Sequence, residues 1–133
     1  MRFTMKPDLP ESGRMRRYYE GAVVPLVAFY QEGMDHHDGE DRRKVREWLN
    51  QEFNGEMVNI DGKMQGVGRS TKGREHLQPF LERVLDWLNE NYNPPSEALD
   101  PEKYKNWRDT IFPDGGPTTY IDYLIETGIL RTV

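Results

Sequence analysis

The residue types best suited to chemistry fall in one run, Gly66-Val67-Gly68-Arg69-Ser70-Thr71-Lys72-Gly73-Arg74. Three cations, two hydroxyls and three glycines occupy nine residues, just ahead of the most amphipathic stretch of the chain. Cations at a helix start oppose the helix dipole, so helix stability gives no reason for them. A bound anion reconciles the arrangement: backbone N–H groups at a helix start and nearby cations together hold phosphate, including the phosphates of a nucleic acid. The run matches neither a Walker loop nor a dinucleotide fingerprint. The plainer alternative is a basic loop that is simply solvated.

Two further groups could carry chemistry. Arg14, Arg16 and Arg17 precede Tyr18 and Tyr19; arginine on phosphate and a ring on a base is how single strands are held. The competing reading makes the tyrosines core residues and the arginines a solvated helix end. Asp35-His36-His37-Asp38 offers zinc- or manganese-type ligands. Adjacent histidines seldom face one ion unless the loop bends sharply, and no second cluster stands out as their partner, so a hydrated acidic loop is expected. Arg42, Arg43, Lys44 and Arg46 alternate with Glu40, Asp41 and Glu47, as on a salt-bridged solvent face. No Ser-His-Asp, Cys-His or paired-carboxylate pattern argues for catalysis. Ser70 near His76 has no motif around it. The expectation is a non-enzyme with no cofactor and no resident metal.

These groups need elements to position them. Residues 14–31 read as a buried helix carrying Tyr18, Tyr19, Ala22, Val23, Leu26, Val27, Phe29 and Tyr30, with a kink at Pro25 and a stop at Gly33. Residues 1–13 read as an arm, with a short strand at Arg2–Met5. Val45, Trp48, Leu49 and Phe53 predict a helix over 41–53. Two short strands flanking Asp61-Gly62 predict a hairpin. Leu77, Phe80, Leu81, Val84, Leu85, Leu88 and Tyr92 predict a helix over 77–92, with Pro79 in its first turn. That start places Arg69–Arg74 in the preceding loop. Asp100–Phe112 and Thr119–Thr127 complete the helices, with Gly128 as the last cap. The fold class predicted is a small, mostly helical α+β domain with one hairpin, comprising residues 14–133.

The chain of 133 residues suits one domain. It has no cysteine, which excludes disulfides and thiolate metal sites. No apolar run nears the roughly 20 residues of a membrane span, and residues 1–7 lack the apolar stretch of a signal peptide, so a cytoplasmic location is expected. The net charge of −5 argues against a generic nucleic-acid binder. However, residues 1–78 are neutral, with 13 basic and 13 acidic side chains. The whole acidic excess lies in residues 79–133, with 5 basic and 10 acidic side chains.

The order of features resembles the phage recombination proteins of the NinB type. The resembling parts are Arg16-Arg17-Tyr18-Tyr19-Glu20-Gly21-Ala22-Val23-Val24-Pro25-Leu26, then 45–53, then Gly68-Arg69-Ser70-Thr71-Lys72 leading to 80–87 and Pro94. Together they span about residues 14–95. The resemblance implies an α+β domain that binds single-stranded DNA in recombination or replication in a host cell, and it allows a homodimer. It carries over Arg69, Ser70 and Thr71, and Arg16 and Arg17 after them. Two departures are the short chain before the first helix and a Met15-Arg16 or Arg16-Arg17 pair where the family has Gln-Asn. The nucleic-acid site expected from residues and resemblance together is Arg14, Arg16, Arg17, Arg69, Ser70, Thr71, Lys72 and Arg74. Two other readings compete with it. One is a small acidic phage protein that binds and blocks a host nucleic-acid-processing protein, as an anti-CRISPR protein does. The other is a metal-dependent nuclease built on Asp35, His36, His37 and Asp38.

Overall fold

A computed structural model describes the backbone of residues 12–60, 63–68 and 74–131 and the side chains of residues 13–53 and 77–131. The first helix, α1 (residues 12–30), is not uniform. Ser12–Tyr18 and Val24–Tyr30 are α-helical, and Tyr19–Val23 between them is a π-helical turn. Pro25 is the cause. It has no N–H, and its ring would strike the carbonyl four residues back, that of Gly21. The wider turn removes that conflict, and Val24 N–H donates five residues back to Tyr19 O. Residues 22–28 are all buried, as in a helix enclosed on every side. Helix α1 packs on each of the four other helices.

Helix α2 (Gly39–Asn54) starts at Asp38, whose Oδ1 accepts from Glu40 N–H and whose carbonyl accepts from Arg42 N–H. Glu40 and Asp41 in its first turn suit the dipole. Val45 and Leu49 are buried against α1, and Trp48 is 40% exposed. Helix α3 (Arg74–Asn91) buries Leu77, Phe80, Leu81, Val84, Leu85 and Leu88. Asn93, at φ +47, ends it with its N–H on Leu88 O. A 3-10 turn, Ser96–Leu99, leads to α4 (residues 101–111), which has an α-helical part, Pro101–Asn106, and a π-helical end, Trp107–Ile111. Asp100 caps α4 on Glu102 N–H. Helix α5 (Tyr120–Glu126) is capped by Thr119, and Gly128 at φ +80 closes its C-terminal end.

Two expectations are corrected here. The first is the α+β class: the domain is all-helical. Every buried residue among the described side chains lies on one of the five helices, in the links between them or, for Leu130, just after the last helix. The backbone of Gly55–Ile60 pairs antiparallel with that of Lys63–Gly68, but side chains there lie outside the described residues. A two-strand ribbon of this kind forms no sheet layer of the sort an α+β architecture needs. The second is the start of α3. It begins at Arg74 instead of near residue 77, so Pro79 sits inside the helix. The long stripe anchored by Leu77 and Phe80 outweighs the one hydrogen bond Pro79 forfeits. Arg74 is consequently a residue of the first helical turn, not of the loop.

The C-terminal third is tied to the first helix. Tyr18 Oη donates to Leu99 O at 2.5 Å and Tyr120 Oη to Glu97 O at 2.5 Å. Tyr104 packs edge-on against both Tyr18 and Tyr120. No described helix is long and apolar enough to cross a membrane.

Candidate functional site

Of the expected nucleic-acid residues, Arg69, Ser70, Thr71 and Lys72 lie outside the described residues, and Arg74 is described in backbone only. The expected strand at 2–5 and the Ser70–His76 pairing also fall outside. Arg14 and Arg17 are exposed one turn apart on α1, while Arg16 is half-buried. Tyr18 and Tyr19 are 1% and 4% exposed, so neither ring can receive a base. Tyr18 spans α1 to the 3-10 turn and Tyr19 packs on Phe80 of α3.

A cleft of about 340 Å³ opens between α1, α2, α4 and the start of α5, lined in part by Glu20, Gly21, Arg42, Arg46, Tyr104 and Thr119. Both arginines are engaged. Arg46 pairs with Glu20 at 3.1 Å, and Arg42 donates to the carbonyl of His36 at 3.1 Å. On the outer face of α2, Arg43 bridges Glu40 and Glu47, as expected of a salt-bridged helix surface.

Among the described residues, the most concentrated set of ionisable groups lies just ahead of the N-terminal end of α2. The turn after α1 folds so that the rings of His36 and His37 sit 3.9 Å apart, tilted by 37°. Gly33 at φ +82 and the donation of Asp35 N–H to Asp41 shape this loop. Asp122, from the first turn of α5, closes the group. Its Oδ1 lies 3.1 Å from His36 Nε2 and its Oδ2 lies 2.7 Å from His37 Nε2. On the far side of the His37 ring, Nδ1 lies 2.9 Å from Asp35 Oδ1. His36 is buried against the edge of Phe29.

The electrostatics follow from these contacts. Hydrogen bonds to Asp122, and then to Asp35, raise the His37 pKa above that of a free imidazole. Burial alone would raise Asp122, yet hydrogen bonds with His36 and His37 leave it below the usual carboxylate value. The His37 backbone and ring lower Asp35 in the same way.

No family model, curated protein or solved structure matches the chain.

The two histidines and Asp35 were visible in sequence as a cluster; Asp122 was not. Its place near the histidines is set by the packing of α5 on α1, over a separation of 86 residues from His36. The one local signal was Thr119, whose Oγ1 accepts from Asp122 N–H at 3.0 Å and so fixes the helix start that carries the carboxylate. Asp38, next to the histidines in sequence, is the cap of α2.

Proposed function

We infer that this chain is a non-enzymatic accessory protein that binds single-stranded nucleic acid, of the kind used in phage recombination or replication. The carrying observation is that the cation and hydroxyl run, Arg69–Lys72, enters the N-terminus of an 18-residue helix that begins at Arg74. The N–H groups of a helix's first turn favour an anion, and the cations neighbour them in sequence. Arg69, Lys72 and Arg74 contact phosphates in this reading, while Ser70 and Thr71 add hydrogen bonds. The exposed Arg14 and Arg17 belong to α1, the first turns of which pack on α3, and they extend the path. Buried Tyr18 and Tyr19 leave backbone electrostatics as the main term, so binding is expected to show little base preference.

Fluorescence anisotropy of a labelled single-stranded oligonucleotide over a salt series tests the reading. Log affinity is expected to fall with log salt at roughly −0.7 per phosphate contacted, so three contacts give a slope near −2. The triple variant Arg69→Ala/Lys72→Ala/Arg74→Ala should flatten that slope and weaken binding. Absence of binding by the unaltered protein at low salt, or an unaffected triple variant, rejects the reading and leaves a protein partner as the object of search.

A further inference from the structure

The geometry points to a divalent metal site of the zinc class, formed by His36 Nε2, His37 Nε2 and the carboxylate of Asp122. Two imidazole nitrogens converge on one carboxylate at 3.1 and 2.7 Å. Zinc bound tetrahedrally at about 2.0–2.2 Å by nitrogen and oxygen places neighbouring ligand atoms about 3.3–3.6 Å apart. The two nitrogen–oxygen distances, one to each oxygen of Asp122, are shorter than that, so the side chains are gathered at hydrogen-bond range and draw apart by several tenths of an ångström to admit an ion. Imidazole with carboxylate is a donor set for zinc and its neighbours rather than for magnesium or calcium.

Asp35 supplies the second, independent feature. A metal-bound histidine usually donates its other ring N–H to a carboxylate, which fixes the ring's orientation. His37 Nδ1 faces Asp35 Oδ1 at 2.9 Å, and Asp35 Oδ1 also accepts from His37 backbone N–H at 2.9 Å. The ligand atoms of Asp35, His36 and His37 all lie within 4.8 Å of one another, but Asp35 is on the opposite edge of the His37 ring from Asp122. We assign Asp122 as ligand and Asp35 as orienting group because Asp122 is the less exposed, at 29% against 61% for the side chain, and is held by the α5 cap. Among the described residues the site joins two parts of the chain: the turn after α1 and the start of α5. An ion there would clamp them. His37, half-exposed, leaves one side open for water to complete the shell.

Isothermal titration of the chelator-treated full chain with zinc chloride, with melting temperature followed in parallel, tests the assignment. One zinc per chain, bound at micromolar levels or tighter with a raised melting temperature, is expected. Magnesium at the same concentration should give neither effect. Removing the ligand His37, which is exposed enough for His37→Gln to fold, should weaken zinc binding beyond the roughly 10- to 100-fold typical for loss of an outer partner. Asp122→Asn should act like His37→Gln, and Asp35→Asn should fall within the outer-partner range. Circular dichroism of each metal-free variant checks that it has folded. Uptake only at millimolar zinc, half an ion per chain, or unchanged uptake by folded His37→Gln overturns the site.

Discussion

At the scale of single residues, glycines with opposite surroundings make the sharpest test of the packing around α1. A Cβ on Gly21 would meet the ring of Tyr104 at 2.7–2.8 Å. That ring is nearly buried and touches Tyr18, Trp107 and Tyr120, so shifting it disturbs three packed aromatic neighbours. Gly21→Ala is therefore expected to cost about 1–3 kcal/mol, as overpacking does. Gly13, on the same helix, has only Arg17 Nη1 at 3.9 Å before its missing Cβ. There, alanine should stabilise by up to about 0.5–1 kcal/mol through the lower entropy of the unfolded chain. Urea midpoints of the two variants should move in opposite directions. Tyr18→Phe removes the proton that the buried Tyr18 hydroxyl aims at Leu99 O, and a loss of about 1–3 kcal/mol is expected for the weakened carbonyl. Helical spacing places Tyr18 in the core, and the neighbouring arginines also offer it as a ring for stacking. Its partner is 81 residues away, and no local pattern announces such a contact.

The elements divide into those written locally and those imposed by packing. Helices α2, α4 and α5 were legible within a few residues because each starts at a side chain that caps it: Asp38, Asp100 and Thr119. The π-turn in α1 was legible only as a kink. Pro25 announces the conflict, but whether the chain bends or widens depends on what surrounds the helix, and here α1 is enclosed. The extension of α3 to Arg74 was hidden because Pro79 is a strong local start signal, overridden by the anchoring of Leu77 and Phe80 in the core. The hairpin signal at Asp61-Gly62 was read as enough for an α+β class, but a turn motif specifies a ribbon, not a sheet layer. Capping can be measured directly. Asp100→Ala leaves Glu102 N–H without its 3.0 Å acceptor at the exposed start of α4, with Pro101 still holding the first turn. The expected loss is about 0.5–2 kcal/mol, seen as a lower urea midpoint with an unchanged m-value. A changed m-value would mean that α4 detaches separately from the rest.

Over the whole molecule, charge and core are distributed differently along the chain. The acidic excess lies in residues 79–133, yet the last third is not an acidic tail hung on a finished domain. Among the described residues, eight of the 25 buried apolar side chains lie beyond Pro95: Ala98, Leu99, Tyr104, Trp107, Tyr120, Ile121, Leu124 and Leu130. They face Tyr18 and the π-turn of α1, while charged residues of the same segment, such as Glu102, Lys105, Asp109 and Asp114, are exposed. A protein partner that recognises this acidity would thus meet a folded face and not a released arm. A fragment ending at Pro95, ahead of those eight residues, is the natural one to make, and its behaviour is predictable. Burying a large apolar side chain stabilises by about 1.5–3 kcal/mol. Even at half that value, the loss of the seven large side chains among these eight is comparable to the roughly 5–15 kcal/mol that holds a domain together. Residues 1–95 alone should therefore lack a cooperative thermal transition and show the weak near-ultraviolet dichroism of a chain without fixed aromatic packing. Trp48 and Trp87, whose rings lie 5.1 Å apart in the intact protein, remain in the fragment as fluorescent reporters. If the fragment instead melts sharply with native-like tryptophan emission, the C-terminal helices are a dispensable layer, and the single core centred on α1 is the wrong description.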